Sequence, residues 1–196
     1  MNNNPFELIK TSDKSKARRG RLHTAHGTIE TPIFMPVGTL ASVKGLSSRD
    51  LREMQAQIIL ANTYHLYLRP GTELVAKMGG VQKFMGWNGP MLTDSGGFQV
   101  WSLKELRHIT EEGVEFHSHL DGSRHMFTPE SVMKAQREIG ADIIMAFDEC
   151  TPYPSTVEEA SQSLDYTLAW TKRAMDWLRE NPPVHDYPQY FFGIVQ

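Results

Sequence analysis

Short apolar runs that each end at a polar residue recur along this chain, and they constrain its fold more than any other feature. Five runs have the length of buried strands: Ile33 to Val37, Ile58 to Ala61, Met91 to Thr93, Ile143 to Phe147 and Phe191 to Val195. Continuous apolar runs of this length are typical of strands that are covered on both faces. We therefore expect them to lie side by side in a parallel sheet.

Segments with helical periodicity separate these runs. Four helices are predicted, over Ser47 to Ala56, Thr72 to Met78, Thr128 to Ile139 and Thr156 to Glu180. The third is marked by Pro129 at its first helical position and by Gly140 after its last turn. Because strands and helices alternate, an α/β fold is predicted, either a (β/α)8 TIM barrel or an open doubly wound sheet.

Two antiparallel elements interrupt this alternation. Near the N-terminus, Phe6 to Lys10 and Arg21 to Thr31 have the pattern of strands that precede the first parallel strand. Between Arg107 and Thr128, alternating apolar side chains before Asp121-Gly122 predict an inserted β-hairpin with a two-residue turn.

Three histidines near the turn of the hairpin, His117, His119 and His125, raise the question of a metal site. A two-residue turn pairs Ser118 with His125, so that His125 faces away from His117 and His119. Three ligands then do not converge, and we expect no metal site among these residues.

Composition limits the class of protein. The apolar runs are far shorter than the ~20 residues of a membrane-spanning helix, and the first residues do not resemble a signal peptide. A single cysteine, Cys150, excludes an internal disulfide and suits a reducing compartment. We expect a cytoplasmic protein without membrane contact. The net charge of −3 gives no indication of a nucleic-acid partner.

The chain is short for a barrel. It has 196 residues and ends at Gln196, directly after the fifth apolar run. A (β/α)8 barrel typically takes about 250 residues. We expect residues 1–196 to be the N-terminal part of a single barrel domain, truncated after about five strands.

Polar side chains follow four of the apolar runs at the point where each ends. They are Asn62, Asp94, Asp148 and Gln196. Because the carboxyl ends of parallel strands share one rim, these side chains are expected to meet at one pocket. A single acid there could equally cap the next loop or helix, but four such residues, two of them acids, indicate a functional site.

The residues at this rim have the chemistry to bind a purine. Two glycines follow Asp94 and Ser95, and they let the backbone approach a ligand, although a plain tight turn would use them too. An ionised aspartate accepts two parallel N–H donors, whereas glutamine offers both a donor and an acceptor. Asp148 with Gln196 would complement the edge of guanine, which presents two donors beside a carbonyl oxygen.

Several consecutive segments carry a family resemblance. They are Met35 to Thr39, Ala61 to Leu66, Leu68 to Gly71, Asp94 to Gln99, Phe147 to Cys150 and Gly193 to Gln196. In this order they resemble the signature segments of the tRNA-guanine transglycosylases. The resemblance runs from about Phe6 to the last residue.

The resemblance implies a fold and an activity. Members of this family are (β/α)8 barrels with a zinc-bearing insertion, and they form homodimers. They are pentosyltransferases that exchange the wobble guanine of tRNAs with GUN anticodons by double displacement. Bacterial members insert the 7-deazaguanine base 7-aminomethyl-7-deazaguanine (preQ1) in queuosine biosynthesis. One aspartate attacks the ribose C1′ and another moves protons, as in retaining glycosidases.

Residue roles carry over only where this sequence matches the family. Asp94 matches the proton-shuttling aspartate, and Cys150 matches a pocket position where bacterial members resemble this chain. Phe98 falls where an aromatic ring covers the bound base. The implied substrate-binding residues are Ser95, Phe98, Asp148, Cys150, Gln196 and, as a hydrogen-bond partner of the resting Asp94, Asn62.

The chain also departs from the family pattern. The nucleophilic aspartate, a glycine-rich segment that completes the base pocket, and a Cys/Cys/Cys/His zinc site belong to a C-terminal half that lies outside this sequence. We therefore expect the chain to be inactive alone. Two alternatives remain: a non-catalytic partner subunit of a transglycosylase, which would be expected to lose its acids, and an open α/β domain that binds a small metabolite.

Two further features leave the interpretation open. Five cations occur within eight residues and could meet phosphates or form a solvated hairpin loop: Lys14, Lys16, Arg18, Arg19 and Arg21. Phe84 and Trp87 could belong to the core or to a subunit contact.

Overall fold

The structure is a computed structural model that describes residues 4–102 and 107–195, and strands and helices alternate along it. The strands are β1 (Phe6–Thr11), β2 (Arg18–Thr24), β3 (Gly27–Thr31), β4 (Ile59–Ala61), β5 (Met91–Thr93), β6 (Arg107–Ile109), β7 (Val114–His117), β8 (Arg124–Phe127), β9 (Ile143–Met145) and β10 (Tyr190–Phe192). The helices are α1 (Ser48–Glu53), α2 (Thr63–Leu68), α3 (Thr72–Lys77), α4 (Val81–Met85), α5 (Gly97–Ser102), α6 (Pro129–Ile139) and α7 (Val157–Glu180).

A parallel sheet forms the centre of the fold. Its order is β10-β9-β5-β4, and each pair is parallel. Four of the five predicted strands are therefore confirmed as parallel strands, but the last two end earlier than predicted, at Met145 instead of Phe147 and at Phe192 instead of Val195. No closed barrel occurs within residues 4–102 and 107–195, where the parallel strands form an open sheet.

The prediction of a strand over Ile33 to Val37 was wrong in its extent. Only Val37 forms a bridge, parallel to Leu60, and the Leu60 N–H donates to the Pro36 carbonyl at 3.0 Å. Pro32 and Pro36 have no N–H to donate, so the segment cannot form a continuous ladder. The segment still runs beside β4, at the edge of the sheet where a further parallel strand would lie.

Alternate side chains of the sheet face two different layers. Ile59 and Met91 belong to one apolar cluster, which they share with side chains of the helices. Ile144 belongs to a second apolar cluster that also contains helix side chains. Leu92 and Ile143 point to the opposite face, where they pack against Leu22 and other apolar side chains of the N-terminal sheet. The sheet is thus covered on both faces near the N-terminal ends of its strands.

The longer helices begin and end where the sequence indicated. Thr128 and Thr156 are the N-caps of α6 and α7, and each side chain accepts a hydrogen bond from the third helical backbone N–H. Gly140 ends α6 in the left-handed conformation, with φ 81°. Three short helices, α2, α4 and α5, were not predicted.

The predicted hairpin is confirmed as part of a three-stranded antiparallel sheet, β6-β7-β8, but the predicted register was wrong. Phe116 pairs with His125, and the Ser118 N–H donates to the Ser123 carbonyl at 2.8 Å. The turn therefore has four residues instead of two. The longer turn is held by its own hydrogen bonds, from the Gly122 N–H to the Ser118 carbonyl at 2.8 Å and from the Ser123 N–H to Asp121 Oδ1 at 3.1 Å.

The N-terminal strands form a second antiparallel sheet, β1-β2-β3. Its β2–β3 turn is tied to the start of β9, because the His26 N–H and the ring Nδ1 both contact Asp142 Oδ1, at 3.1 and 2.9 Å. Asp142 is fully buried and its Oδ2 accepts from the Met91 N–H at 2.9 Å. This shared carboxylate joins the two sheets.

The two features left open by the sequence have different outcomes. Trp87 is 3% exposed and lies in the core with Phe84 packed against its cluster. In the basic stretch, Arg19 and Arg21 pair with Glu30, at 3.0 and 2.5 Å, while the remaining cations are exposed. Helices of the described residues are too short or too polar to cross a membrane.

Candidate functional site

A cavity of about 350 Å³ lies at the carboxyl ends of the parallel strands. Apolar side chains of β4, β5 and β9 form its floor: Leu60, Leu92 and Met145. Polar residues that follow the same strands form its wall, and they include Asp94, Ser95 and Asp148. Sites for small ligands are typically clefts of about 300–1,000 Å³ with a few convergent polar groups, and this cavity lies at the small end of that range.

Asp94 follows β5 and is held by the segment that follows β4. Asn62 Nδ2 donates to Asp94 Oδ2 at 2.5 Å, and the Thr63 N–H donates to Oδ1 at 2.8 Å. The Thr63 hydroxyl donates to the Asp94 carbonyl at 2.6 Å, and the Gly96 N–H reaches Oδ1 at 3.2 Å. The carboxylate therefore has a defined orientation in the absence of any ligand.

The pKa of Asp94 is shifted by this environment. Burial raises the pKa above its ordinary value of 3.8, and this effect outweighs the hydrogen bonds to the carboxylate, which lower it. Asn62 contributes the largest of these opposing effects. A carboxyl group whose pKa lies closer to neutrality can both accept and return a proton, which is what a general acid and base must do.

Asp148 follows β9 on the other side of the cavity. It is 7% exposed, and its Oδ1 accepts a hydrogen bond from the Ser95 hydroxyl at 3.0 Å. The Cys150 thiol lies 3.6 Å from its Oδ2. Ser95 thus connects the loop after β5 to the acid after β9, and both acids line one cavity.

The two glycines after Ser95 serve the protein's own packing. Gly96 has φ +80°, a conformation that L side chains rarely adopt. A Cβ at Gly97 would lie 2.8 Å from the Asp148 carbonyl oxygen and 3.1 Å from its Oδ1. The close approach at Gly97 is made by Asp148, and Gly97 begins α5.

Phe98 stands at the open side of the cavity. Its side chain is 61% exposed and stacks on Trp101, with ring centroids 5.4 Å apart. Ile194 closes part of the opposite wall. Gln196, which was predicted to lie at this rim, lies outside the described residues.

Two residues of the site were not predicted. Thr63 contributes two of the hydrogen bonds that hold Asp94, and Gln99 lines the cavity, where its side chain lowers the pKa of Asp94. Thr63 directly follows the predicted Asn62, so a polar pair at a strand end was the available signal. Gln99 is the last residue of the segment Asp94 to Gln99, which carries part of the family resemblance, but no separate signal in the sequence indicated a role for it.

Other features of the described residues do not form a comparable site. A cavity of about 530 Å³ lies beside α2, α3 and the turn between β7 and β8, but it contains none of the predicted site residues. No group of three or more His, Cys, Asp or Glu side chains in residues 4–102 and 107–195 could hold a metal ion. His119 contacts the Tyr64 hydroxyl through Nδ1 at 2.8 Å instead.

Comparison with known proteins identifies related sequences. Residues 13–196 match the family model described as Queuine tRNA-ribosyltransferase. The chain is 56% identical over 191 residues to a queuine tRNA-ribosyltransferase of Ruminiclostridium cellulolyticum, which covers 97% of this chain and 50% of the relative. It is 58% identical over 180 residues to the protein of that name in Solidesulfovibrio magneticus, covering 92% of this chain and 47% of the relative. The chain therefore spans about half the length of the curated relatives it matches.

Proposed function

The chain belongs to the queuine tRNA-ribosyltransferase family, and from this premise we propose that its cavity is the base-binding part of a tRNA-guanine transglycosylase site. The observation that carries the proposal is that Asp94 and Asp148 line one cavity of about 350 Å³. A cavity of this size suits a single purine base rather than a whole nucleotide.

Asp148 is proposed to bind the edge of the base. Its Oδ1 already accepts from Ser95, and a carboxylate oxygen has a further lone pair to offer. The ring N–H and exocyclic NH₂ of guanine are two parallel donors, and so are those of 7-deazaguanines. Gln196 would supply a donor to the neighbouring carbonyl of the base. Phe98 would cover the ring, since its exposed face stands beside the cavity.

Asp94 is proposed to move the proton that base exchange requires. In a double displacement, a carboxylate forms a bond to ribose C1′ as the bond from C1′ to N9 of guanine breaks, and the departing guanine gains a proton. The incoming base then gives up a proton as its own bond to C1′ forms and the bond from C1′ to the carboxylate breaks. The raised pKa of Asp94 suits a group that gives and takes this proton.

The nucleophile is proposed to lie outside residues 1–196. Asp94 and Asp148 are the acids of the cavity, and both have the roles described above. The relatives are about twice as long as this chain, which leaves ample length for a further carboxylate. We propose the same of the zinc site, because no group of three or more His, Cys, Asp or Glu side chains among the described residues could hold a metal ion.

The described fold is proposed to be one part of a (β/α)8 barrel. The family implies that fold, and the sheet has the parallel strands, the following helices and the rim site that such a barrel requires. The bacterial substrate preQ1, tRNA with a GUN anticodon, a homodimer and a cytoplasmic location belong to the same proposal. Both acids are present, which favours the catalytic subunit over the non-catalytic partner.

Residues 1–196 expressed alone are expected to be catalytically inert and poorly stable. In the described residues β10 pairs only with β9, and large apolar side chains near the sheet edges are exposed: Phe34 at 79%, Val37 at 52% and Phe192 at 38%. An open edge with exposed apolar surface favours aggregation or loose packing. Thermal unfolding, oligomeric state and exchange of labelled guanine into tRNA are the measurements.

The matched control is a chimera in which residues 1–196 are followed by the unmatched half of the Ruminiclostridium cellulolyticum relative. This chimera should exchange guanine, as the intact relative does in the same assay. A cooperative transition in a soluble monomer of residues 1–196 would contradict the expected instability. Measurable exchange by that chain would show that the nucleophile lies within it.

A further inference from the structure

Phe98 stands on a short helix that is anchored in the core. It is the second residue of α5, and Val100 of the same helix is 1% exposed and belongs to the apolar cluster that contains Phe147. The Val100 N–H donates to the Gly96 carbonyl at 3.2 Å. The backbone that carries Phe98 is therefore fixed beside the cavity. The Phe98 side chain is 61% exposed, however, and it needs contacts of its own to stay in one rotamer.

Trp101 supplies such a contact. It lies one turn after Phe98 on α5, and residues three apart on a helix are neighbours on one face. The two rings are stacked, with centroids 5.4 Å apart and planes inclined by 27°. Stacked aromatic pairs at this separation stabilise each other beyond the area that they bury. The indole therefore holds the phenyl ring in one orientation.

The pair leaves one ring available to a ligand. Phe98 lines the cavity together with Asp94 and Asp148, whereas Trp101 is not among the described residues that line it. The indole packs against one face of the phenyl ring, and most of the Phe98 side chain is exposed beside the cavity. A base that enters the cavity can thus stack on a ring whose orientation is set before binding.

We propose that Trp101 is a positioning residue that holds Phe98 over the base site. The inference rests on the proposed function, in which Phe98 covers the bound base. A base that stacks on an aromatic ring gains affinity, but part of this gain is lost if binding must also order a mobile side chain. Trp101 removes that loss, because it orders the ring in the absence of a ligand.

The test is guanine exchange by variants of the chimera of residues 1–196 with the unmatched half of the Ruminiclostridium cellulolyticum relative. Trp101→Leu should raise the KM for guanine by about 2–10-fold, the usual contribution of an aromatic pair, and should change kcat at saturating guanine by less than about twofold. Trp101→Phe keeps a ring that can stack, so its KM should stay closer to that of the wild type. Ser102→Ala, at an exposed neighbour on α5, is the matched control and should leave KM unchanged.

A double-mutant cycle shows whether Trp101 acts through Phe98. Phe98→Leu removes the stacked ring and should itself raise the KM for guanine. In that background Trp101→Leu should have no further effect, because the ring that the indole orients is absent. An unchanged KM for Trp101→Leu in the wild-type background would overturn the proposal. Equal effects of Trp101→Leu in both backgrounds would also overturn it, since they would indicate a role in the fold and not in the orientation of Phe98.

The order of the Phe98 ring is measured separately, by NMR relaxation of isotope-labelled phenylalanine in the ligand-free chimera, with Phe98→Leu to assign the signal. Trp101→Leu should increase the motion of this ring, and unchanged motion would contradict the proposal. If circular dichroism shows that Trp101→Leu does not fold, Trp101→Met replaces it, because methionine fills an irregular apolar space without a ring. A chimera in which Trp101 orders Phe98 but which exchanges no guanine would contradict the proposed function and leave this inference intact.

Discussion

Asp94→Asn in the chimera is expected to lower the rate constant for guanine exchange by about 10²–10⁴-fold, the usual contribution of a positioned acid or base. The amide cannot accept and return a proton. The fold should survive, because the amide oxygen can still accept from the Thr63 N–H, which lies 2.8 Å from the carboxylate. The measurement is single-turnover exchange of labelled guanine at saturating base and tRNA.

The pH dependence provides the control for Asp94. Burial raises the pKa of this carboxyl, so the deprotonated form is reached only above the ordinary value of 3.8. For the step in which the incoming base gives its proton to Asp94, the wild-type rate should therefore fall, on acidification, at a pH above that value, and the variant should lack this limb. A variant that kept the full rate constant would contradict the proton-shuttling role. Asn62→Ala, which removes a hydrogen bond to the carboxylate, should move the limb to higher pH.

Asp148→Asn is expected to raise the KM for guanine by roughly 5–150-fold, which corresponds to about 1–3 kcal/mol. The substitution replaces one acceptor oxygen with an NH₂ group that faces the donors of the base. A buried donor is then left opposite another donor, and neither is satisfied. Initial rates of labelled guanine exchange at varied guanine concentration separate KM from kcat.

Ser95→Ala is the matched control for Asp148. It removes the 3.0 Å hydrogen bond to Asp148 Oδ1 but leaves both acceptor oxygens in place. Its effect on KM should therefore be smaller than that of Asp148→Asn. Near wild-type exchange by Asp148→Asn would contradict the assignment of this acid to the base edge. Circular dichroism of both variants shows whether the fold is intact.

The elements that the sequence predicted well carry their signals locally. The ends of α6 depend on Thr128, Pro129 and Gly140, each of which acts on its own backbone or on a residue within one turn. The strand β5 was predicted with its exact bounds, because two apolar residues and the β-branched Thr93 are followed directly by an acid. The position of the site at the strand ends followed from the same local pattern.

Two elements were predicted wrongly, each for a different reason. The segment Ile33 to Val37 is apolar, yet its pairing with Leu60 is limited to one bridge, because proline has no backbone N–H to donate. The hairpin turn is longer than the Asp121-Gly122 pair predicts, because the Gly122 N–H donates to the Ser118 carbonyl at 2.8 Å and the Ser123 N–H donates to Asp121 Oδ1 at 3.1 Å. A slip of two residues leaves each side chain on the same face of the sheet, so burial of the aromatic side chains does not distinguish the two registers.

The sequence by itself determined the class of the fold, the caps of the longer helices and the identity of the acids at the strand ends, because apolar period and cap chemistry are properties of short segments. Only the tertiary structure decided which polar groups meet there. Asn62 reaches Asp94 across 32 positions of the chain, and Ser95 reaches Asp148 across 53. These contacts exist because parallel strands bring their carboxyl ends to one rim, and the strand order and register that do so are set by packing of the whole sheet.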